Sequence, residues 1–169
     1  MTQQQEEAKE QFQSALEEFS AVVNFQGGAL EKTYNKLKTE LERSESKAKA
    51  VADRIIDVER VAEALFKEWD AEIEQYNSAD LKRKSRDARV KTESAYLGMI
   101  RKMKAAEATM YPVLDLFRDQ VLFLKHNLNA RAIASLDTET SAIEAQVKKL
   151  VTEMESSIAE ADAFIASMR

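Results

Sequence analysis

Residues 30–69 read LEKTYNKLKTELERSESKAKAVADRIIDVERVAEALFKEW, and an apolar or small side chain recurs there at alternating steps of four and three residues. A repeat that averages about 3.5 residues keeps one helix face turned toward a partner helix, as in a coiled coil. The pattern predicts a helix over residues 29–76 that is roughly 70 Å long. The residues of this seam are Leu30, Tyr34, Leu37, Leu41, Ser44, Ala48, Val51, Ile55, Val58, Ala62, Leu65 and Trp69.

Two shorter helices are predicted at the ends of the chain. The first covers residues 4–24 and stops before Gly27-Gly28, because glycine past the last turn ends a helix. The last covers residues 137–168, and Asp137 or Thr138 can cap its first turn.

A third helix is predicted over residues 80–136, directly after a tight turn at 77–80. Ser78 in that turn is a suitable N-cap, because its hydroxyl can accept a hydrogen bond from the first turn of the helix. Pro112 lies inside the helical pattern and lacks a backbone N–H. We therefore expect a kink near Pro112, or a break of this helix into two.

The connections are short, so helices that follow one another must lie antiparallel. The two end helices are short and adjoin the same end of the long pair. The chain is thus predicted to be one all-α domain over residues 1–169. We expect an elongated antiparallel bundle and coiled coil, with four helices at one end and a two-helix hairpin at the other. Apolar residues widen onto several helix faces over residues 110–128, as contact with several helices requires.

The composition agrees with such a bundle. Three Gly and one Pro leave little material for turns, and 33% of the residues are charged. No window approaches the roughly 18 apolar residues of a membrane span. A net charge of −5 disfavours nucleic acid as a partner, and the absence of cysteine excludes thiol chemistry. The first residues, MTQQQEE, have neither the basic nor the apolar part of a signal peptide.

Residues 82–104, here called the basic run, carry nine basic and two acidic side chains. They could form a surface for anionic lipid. The opposing segment of the hairpin, residues 55–76, carries seven acidic and two basic side chains, so the charges could instead pair across the seam. Pairing is the favoured interpretation, and a lipid-binding face is the alternative. The candidate lipid-facing residues are Lys82, Arg83, Lys84, Arg86 and Arg89.

The residues that usually carry catalysis or bind metals are missing as motifs. The single histidine, His126, has Phe123 three residues before it rather than the glutamate that a di-metal bundle uses. There is no Gly-rich phosphate loop and no Gly-x-Ser-x-Gly. We therefore predict no catalytic residue, no metal site, no cofactor and no small-molecule ligand, and an enzyme of unknown type remains a remote alternative.

Residues 117–131 combine a wide apolar face with polar side chains close to a helix end. Asparagine is a poor interior helix former, so local capping is the first interpretation of those at 127 and 129. Contact with a partner is the second. The candidate interaction residues are Arg118, Lys125, His126, Asn127, Asn129 and Arg131.

Four segments resemble an uncharacterised gammaproteobacterial family that carries a domain of unknown function. They are residues 23–28, 65–69 and 159–165, and most specifically 117–136, FRDQVLFLKHNLNARAIASL. Many members of that family begin with a signal peptide and a lipid-anchor cysteine. The resemblance therefore implies a periplasm-facing lipoprotein of the bacterial envelope. It also suggests that this chain is a mature fragment whose first helix continues further toward the hairpin.

These observations predict a non-enzymatic scaffold or interaction protein of the bacterial cell envelope. Its partner is expected to be a protein or a second copy of itself. A lipid anchor would hold it near the membrane. The alternative is a coiled coil that associates with membranes through its basic face.

Overall fold

The computed structural model describes residues 2–23, 30–127 and 129–168, apart from the side chains at positions 23, 130, 137 and 138. These residues form five long helices and one of five residues, with no strand among them, so the predicted all-α fold is confirmed. The predicted stop at Gly27-Gly28 lies outside the described residues. The helices are α1 (Thr2–Val23), α2 (Leu30–Ile73), α3 (Ala79–Ala108), α4 (Met110–His126), α5 (Ala130–Ala134) and α6 (Asp137–Ser167).

The helices α1, α2 and α3 run antiparallel to one another in chain order, and α6 runs antiparallel to α3. Glu18 of α1 contacts Lys36 of α2, whereas Glu7 contacts Lys47, so the numbering rises along one helix as it falls along the other. The same reversal relates α2 to α3, and α3 to α6. The short connections from α1 to α2 and from α2 to α3 require this antiparallel order.

The number of helices in cross-section falls along the molecule. At the wide end α1, α2, α4 and α6 surround one core. α1 begins at Thr2, close to the point where Gln5 donates a hydrogen bond to Ser157 of α6, and beyond this level α2, α3 and α6 continue without it. α6 ends at Ser167, and the tip of the α2–α3 hairpin extends past it. A three-helix segment therefore separates the predicted four-helix end from the predicted hairpin.

Aromatic rings fill the centre of the four-helix end. Phe117 of α4 stacks on Phe19 of α1 with ring centroids 4.3 Å apart, and on Phe12 at 6.2 Å. All three rings are fully buried. Each buried side chain of this size stabilises the fold by about 1.5–3 kcal/mol. Aliphatic residues from the other helices complete this core, among them Leu37, Met110, Leu114, Leu124, Ile143 and Leu150.

Polar contacts set the register of α2 and α3 at the hairpin end. No residue of α3 before Met99 is buried. The Ser78 hydroxyl accepts a hydrogen bond from the Leu81 amide at 3.2 Å, which makes Ser78 the N-cap that the sequence predicted. Trp69 of α2 donates its indole N–H to the Ser85 hydroxyl of α3 at 2.9 Å. The two helices are therefore fixed in register by named pairs rather than by a deep core.

The interruption near Pro112 falls three residues earlier, at Thr109. Proline cannot donate to the carbonyl of Ala108, so the helical hydrogen-bond pattern is broken there. Thr109 keeps helical angles, φ −73° and ψ −17°, and its hydroxyl donates to the carbonyl of Ala106. The chain therefore continues from α3 into α4 with a one-residue interruption.

The helix predicted over 80–136 does not continue to its expected end. α4 ends at His126, because Asn127 leaves the helical region at φ −130° and ψ 50°. The side-chain amide of Asn127 donates a hydrogen bond to the backbone carbonyl of Phe123. Asn129 then caps α5 by accepting from the Ala132 amide at 2.9 Å. α6 begins with Leu136 at the N-cap position, so neither of the two expected caps, Asp137 and Thr138, occupies it. Within the described residues, no helix combines the length and apolar character that crossing a membrane requires.

Candidate functional site

An apolar groove runs along the three-helix segment, in line with α1 and beyond its first residue. It is an open cavity of about 270 Å³ between α2 and α6. Val58, Val61 and Leu65 of α2 form one wall. Phe164 and Ile165 of α6, with Met168 directly after that helix, form the other wall. The floor consists of Tyr96 and Met99 from α3 and of Ala62 and Phe66 from the inner face of α2.

The groove lies in line with α1, between the same two helices α2 and α6. At the wide end α1 lies between them, with Glu7 bound to Lys47 of α2 at 2.9 Å and Gln5 bound to Ser157 of α6 at 2.6 Å. Past Thr2 the apolar faces of both neighbouring helices continue as the walls of the groove. The groove is therefore an extension of the trough in which α1 itself packs.

The walls of the groove expose large apolar side chains to solvent. Val61 is 66% exposed, Met168 50%, Leu65 40% and Ile165 37%. Single exposed apolar residues are ordinary, but a cluster of them in one concave surface marks an interaction site. The polar groups of the groove are few, and Arg54 and Asp57 supply its only charges among the lining residues.

The sequence placed Leu65 and Trp69 in the α2 seam, and the structure corrects this for Leu65. Phe66 is buried in its place, with an exposed fraction of 7%, whereas Trp69 does face α3, where it binds Ser85. The α2 helix has two apolar flanks in this segment, and α3 packs against the one that holds Phe66. In this segment α2 carries apolar residues on more than one face, namely Val58, Val61, Leu65 and Phe66. An apolar surface this wide indicates that α2 contacts more than one other helix, and sequence reasoning missed it.

Aromatic side chains support the floor of the groove. Phe66 contacts Tyr96 of α3 with ring centroids 5.8 Å apart, and Tyr96 contacts Phe164 of α6 at 6.5 Å. The Arg89 guanidinium lies over the Phe66 ring, 5.0 Å from its centroid. Burial raises the pKa of the Tyr96 hydroxyl, and the nearby Glu59 carboxylate adds to the effect. These contacts hold the groove in shape from below.

Every candidate lipid-facing residue of the basic run has a carboxylate partner. Lys82 and Arg86 bind Glu74 across the hairpin, and Arg89 binds Asp70 in the same way. The hydrogen bond from Lys82 lowers the pKa of Glu74. Arg83 and Lys84 both bind Asp80 within their own helix. Pairs this exposed add little to stability. Because Glu74 and Asp80 are each shared by two cations, the pairs offset only part of the charge of the basic run.

The six candidate interaction residues of segment 117–131 do not form one cluster. Arg118 lies on the side of α4 and binds Glu45 of α2 and Asp115. Asn127 and Asn129 cap helix ends, as described above. The side chains of Lys125, His126 and Arg131 are exposed, and no hydrogen bond or ion pair joins them to another described residue. Capping therefore accounts for both asparagines.

A second cavity, of about 310 Å³, opens beside this segment between α4 and the start of α6. Gln120 lines it and is 3% exposed, and its amide nitrogen has no hydrogen-bond partner among the residues that the structure describes. The other lining residues are Asp119, Phe123, Ser135, Leu136 and Glu139. Its walls mix carboxylates with an aromatic ring, unlike the apolar groove.

Buried polar groups elsewhere serve the packing of helices. Glu40 is buried at the α1–α2 contact and accepts hydrogen bonds from Gln11 at 2.9 Å and from Arg43 at 3.3 Å. The described residues contain no group of three or more side chains suited to holding a metal ion. Within that part of the chain, the groove is the most distinctive surface.

The fold and the groove define a class, that of elongated all-α bundles that present an apolar surface between helices. Comparison with family models finds the family described as "Protein of unknown function (DUF2959)", which matches residues 1–168. The chain belongs to this family, and the predicted membership of a domain-of-unknown-function family is confirmed. Comparisons with curated proteins and with solved structures give no match.

Proposed function

We propose that this protein is a non-enzymatic interaction bundle of the bacterial cell envelope, and that the apolar groove is the surface that meets its protein partner. One observation carries the proposal. Val61, Leu65, Ile165 and Met168 expose large apolar side chains within a single concave surface. Burying such a surface against a partner is favourable by about 25 cal/mol for each Å² of apolar area removed from water.

The shape of the groove favours a macromolecule over a small ligand. Sites for small molecules usually enclose the ligand and place several polar groups around it. The groove is partly open to solvent, and among its described lining residues only Arg54 and Asp57 bring charge to it. A partly open apolar surface of this kind suits a protein segment.

The envelope location rests on the resemblance of segments 23–28, 65–69, 117–136 and 159–165 to a family in which many members carry a lipid anchor. A lipoprotein facing the periplasm would hold the bundle close to a membrane while leaving the groove free for a partner. Fractionation of cells that carry the full-length gene tests this part by itself. We expect the protein in the membrane fraction, released by detergent and not by salt.

Site-specific photocrosslinking in living cells tests the contact surface. A photoreactive amino acid replaces Leu65 in the groove, or Ile56 as a matched control. Ile56 is also an apolar residue of α2, is 60% exposed, and does not line the groove. We expect an adduct with a protein, or with a second copy of the chain, from position 65 and none from position 56. Equal labelling from both positions, or no adduct at all, would contradict the proposal.

A further inference from the structure

We propose that the second cavity, between α4 and the start of α6, binds a small hydroxylated cation of the chemical class of an amino sugar. This inference goes beyond the proposed function, because the groove lies near the end of α6 and shares none of its described lining residues with this cavity. Three observations support it: a buried amide without a partner, two carboxylates without a counter-ion, and an exposed aromatic ring beside them.

The side chain of Gln120 is the feature that points to a ligand. It lines the cavity and is 3% exposed, yet its amide nitrogen has no hydrogen-bond partner in the part of the chain that the structure describes. A buried donor without a partner destabilises a fold, so native proteins give nearly every such group a partner. The terminal torsion of glutamine is soft, so this amide can turn its N–H groups toward the cavity. A ligand that brings an acceptor would satisfy it.

The exposed side chains around the cavity supply acceptors and negative charge. Asp119 of α4 and Glu139 of α6 line it, and neither forms an ion pair with another described residue. The Ser135 hydroxyl donates its proton to the Ala132 carbonyl at 2.6 Å, so toward a ligand it can only accept. The described lining residues include no basic side chain. The cavity therefore favours a ligand that brings donors and a positive charge, and it disfavours an anion.

An aromatic ring and the size of the cavity restrict the ligand further. Phe123 follows Asp119 by one helical turn, so both lie on the same face of α4, and Phe123 is 38% exposed. An exposed ring can pack against the apolar face of a second ring or attract a cation. The volume of about 310 Å³ lies at the lower end of the roughly 300–1,000 Å³ typical of ligand pockets, which suits a molecule with a single ring.

A hydroxylated amine meets these requirements together. A hydroxyl group both donates and accepts, so it can pair with the Gln120 amide on one side and with a carboxylate on the other. The ammonium group can then bind Asp119 or Glu139. No motif in the sequence indicates this site, because its residues come from two segments that only the fold brings together. For the same reason the sequence predicted no small-molecule ligand.

Titration of the isotope-labelled full chain, followed by NMR, tests the proposal. The probes are glucosamine, with hydroxyls and a cation, glucose, with hydroxyls alone, and cyclohexylamine, with a cation on a bare ring. We expect glucosamine to shift the side-chain amide resonances of Gln120 saturably, with a Kd of about a millimolar for so small a ligand. Glucose and cyclohexylamine should each bind at least about fivefold more weakly, because each lacks one kind of contact.

Matched substitutions locate the binding site. Asp119→Asn and Glu139→Gln should each weaken glucosamine binding by about three- to tenfold, because each removes a charged acceptor at little change in size. The controls Asp115→Asn and Glu144→Gln remove the same charges from exposed positions of α4 and α6 that do not line the cavity. They should leave binding unchanged.

Gln120→Met separates a role in binding from a role in the fold. Methionine keeps the length of the side chain and removes the amide. The midpoint of urea unfolding should therefore stay the same or rise, because no buried donor is left unpaired, while glucosamine binding is lost. A lower midpoint would show that the amide serves the packing of the helices, and it would overturn the proposal.

Three further outcomes would also overturn it. They are equal binding of glucosamine and cyclohexylamine, glucosamine binding that Glu139→Gln leaves unchanged, and no shift of the Gln120 amide with any probe. The last result would assign the cavity to water alone. None of these outcomes alters the photocrosslinking expected from Leu65, so the proposed function is tested separately.

Discussion

Replacement of Phe117 by alanine should strongly destabilise the four-helix end of the bundle. Phe117 is fully buried and stacks on two rings of α1, on Phe19 at a centroid distance of 4.3 Å and on Phe12 at 6.2 Å. It is therefore the residue through which α4 holds α1. Its removal leaves a cavity that two further aromatic rings line and that the surrounding backbone can fill only in part.

The magnitude follows from the burial and the ring contacts. A buried Phe→Ala substitution costs about 3–5 kcal/mol, which includes both the lost transfer free energy and the cavity. Loss of two stacked contacts of about 0.5–1.5 kcal/mol each places this site in the upper part of that range. For a chain of this size, 1 kcal/mol lowers the midpoint of thermal unfolding by roughly 2–4 °C, so we expect a fall of at least about 8 °C.

Urea unfolding followed by helical circular dichroism measures the change in the free energy of unfolding. Leu122→Ala is the matched control, because Leu122 lies on the same helix α4 and is 68% exposed. We expect the control to change stability by no more than about 0.5 kcal/mol. A loss below about 1 kcal/mol for Phe117→Ala, or equal losses at both positions, would refute the assignment of Phe117 to the centre of the core.

Three further predictions concern other parts of the molecule. Ser157→Ala should lower the free energy of unfolding by about 1–3 kcal/mol in urea titrations, because it leaves the buried Gln5 amide without its acceptor. The hydrogen bond to Glu107 raises the pKa of Tyr111 to about 12, so Glu107→Gln should lower that pKa in an ultraviolet titration of tyrosinate. Because the folded state favours the neutral hydroxyl, the stability this contact adds is present below pH 10 and is lost as the pH rises toward about 12. Flotation with anionic liposomes should recover no protein at physiological salt, since the candidate cations of the basic run are paired; binding that high salt abolishes would instead support the membrane alternative.

Much of the fold could be predicted from local patterns. The repeat over residues 30–69 predicted α2, and the turn at 77–80 with its Ser78 cap predicted the start of α3. The acidic segment 55–76 opposite the basic run predicted the ion pairs across the hairpin. Each of these depends on residues that are close in sequence, or on two segments that one short turn brings together.

The candidate site could not be predicted in the same way. Leu65 and Phe66 are neighbours with similar apolar character, and a heptad count assigns the wrong one to the interior. The choice depends on which flank of α2 faces α3, and the residue pattern within a single helix does not determine that. Likewise, the sequence marks Asn127 and Asn129 as poor interior helix formers. That they divide the predicted third helix follows only from their hydrogen bonds in the structure.

The sequence by itself determined the helical class, the long hairpin, its cap and the antiparallel order, because periodicity, capping and short connections act over a few residues. Only the tertiary structure decided which flank of α2 faces α3, so that Phe66 is buried while Val61 and Leu65 stay exposed. The apolar walls of the groove follow from that choice. It depends on how distant segments align, and no local pattern in the chain encodes it.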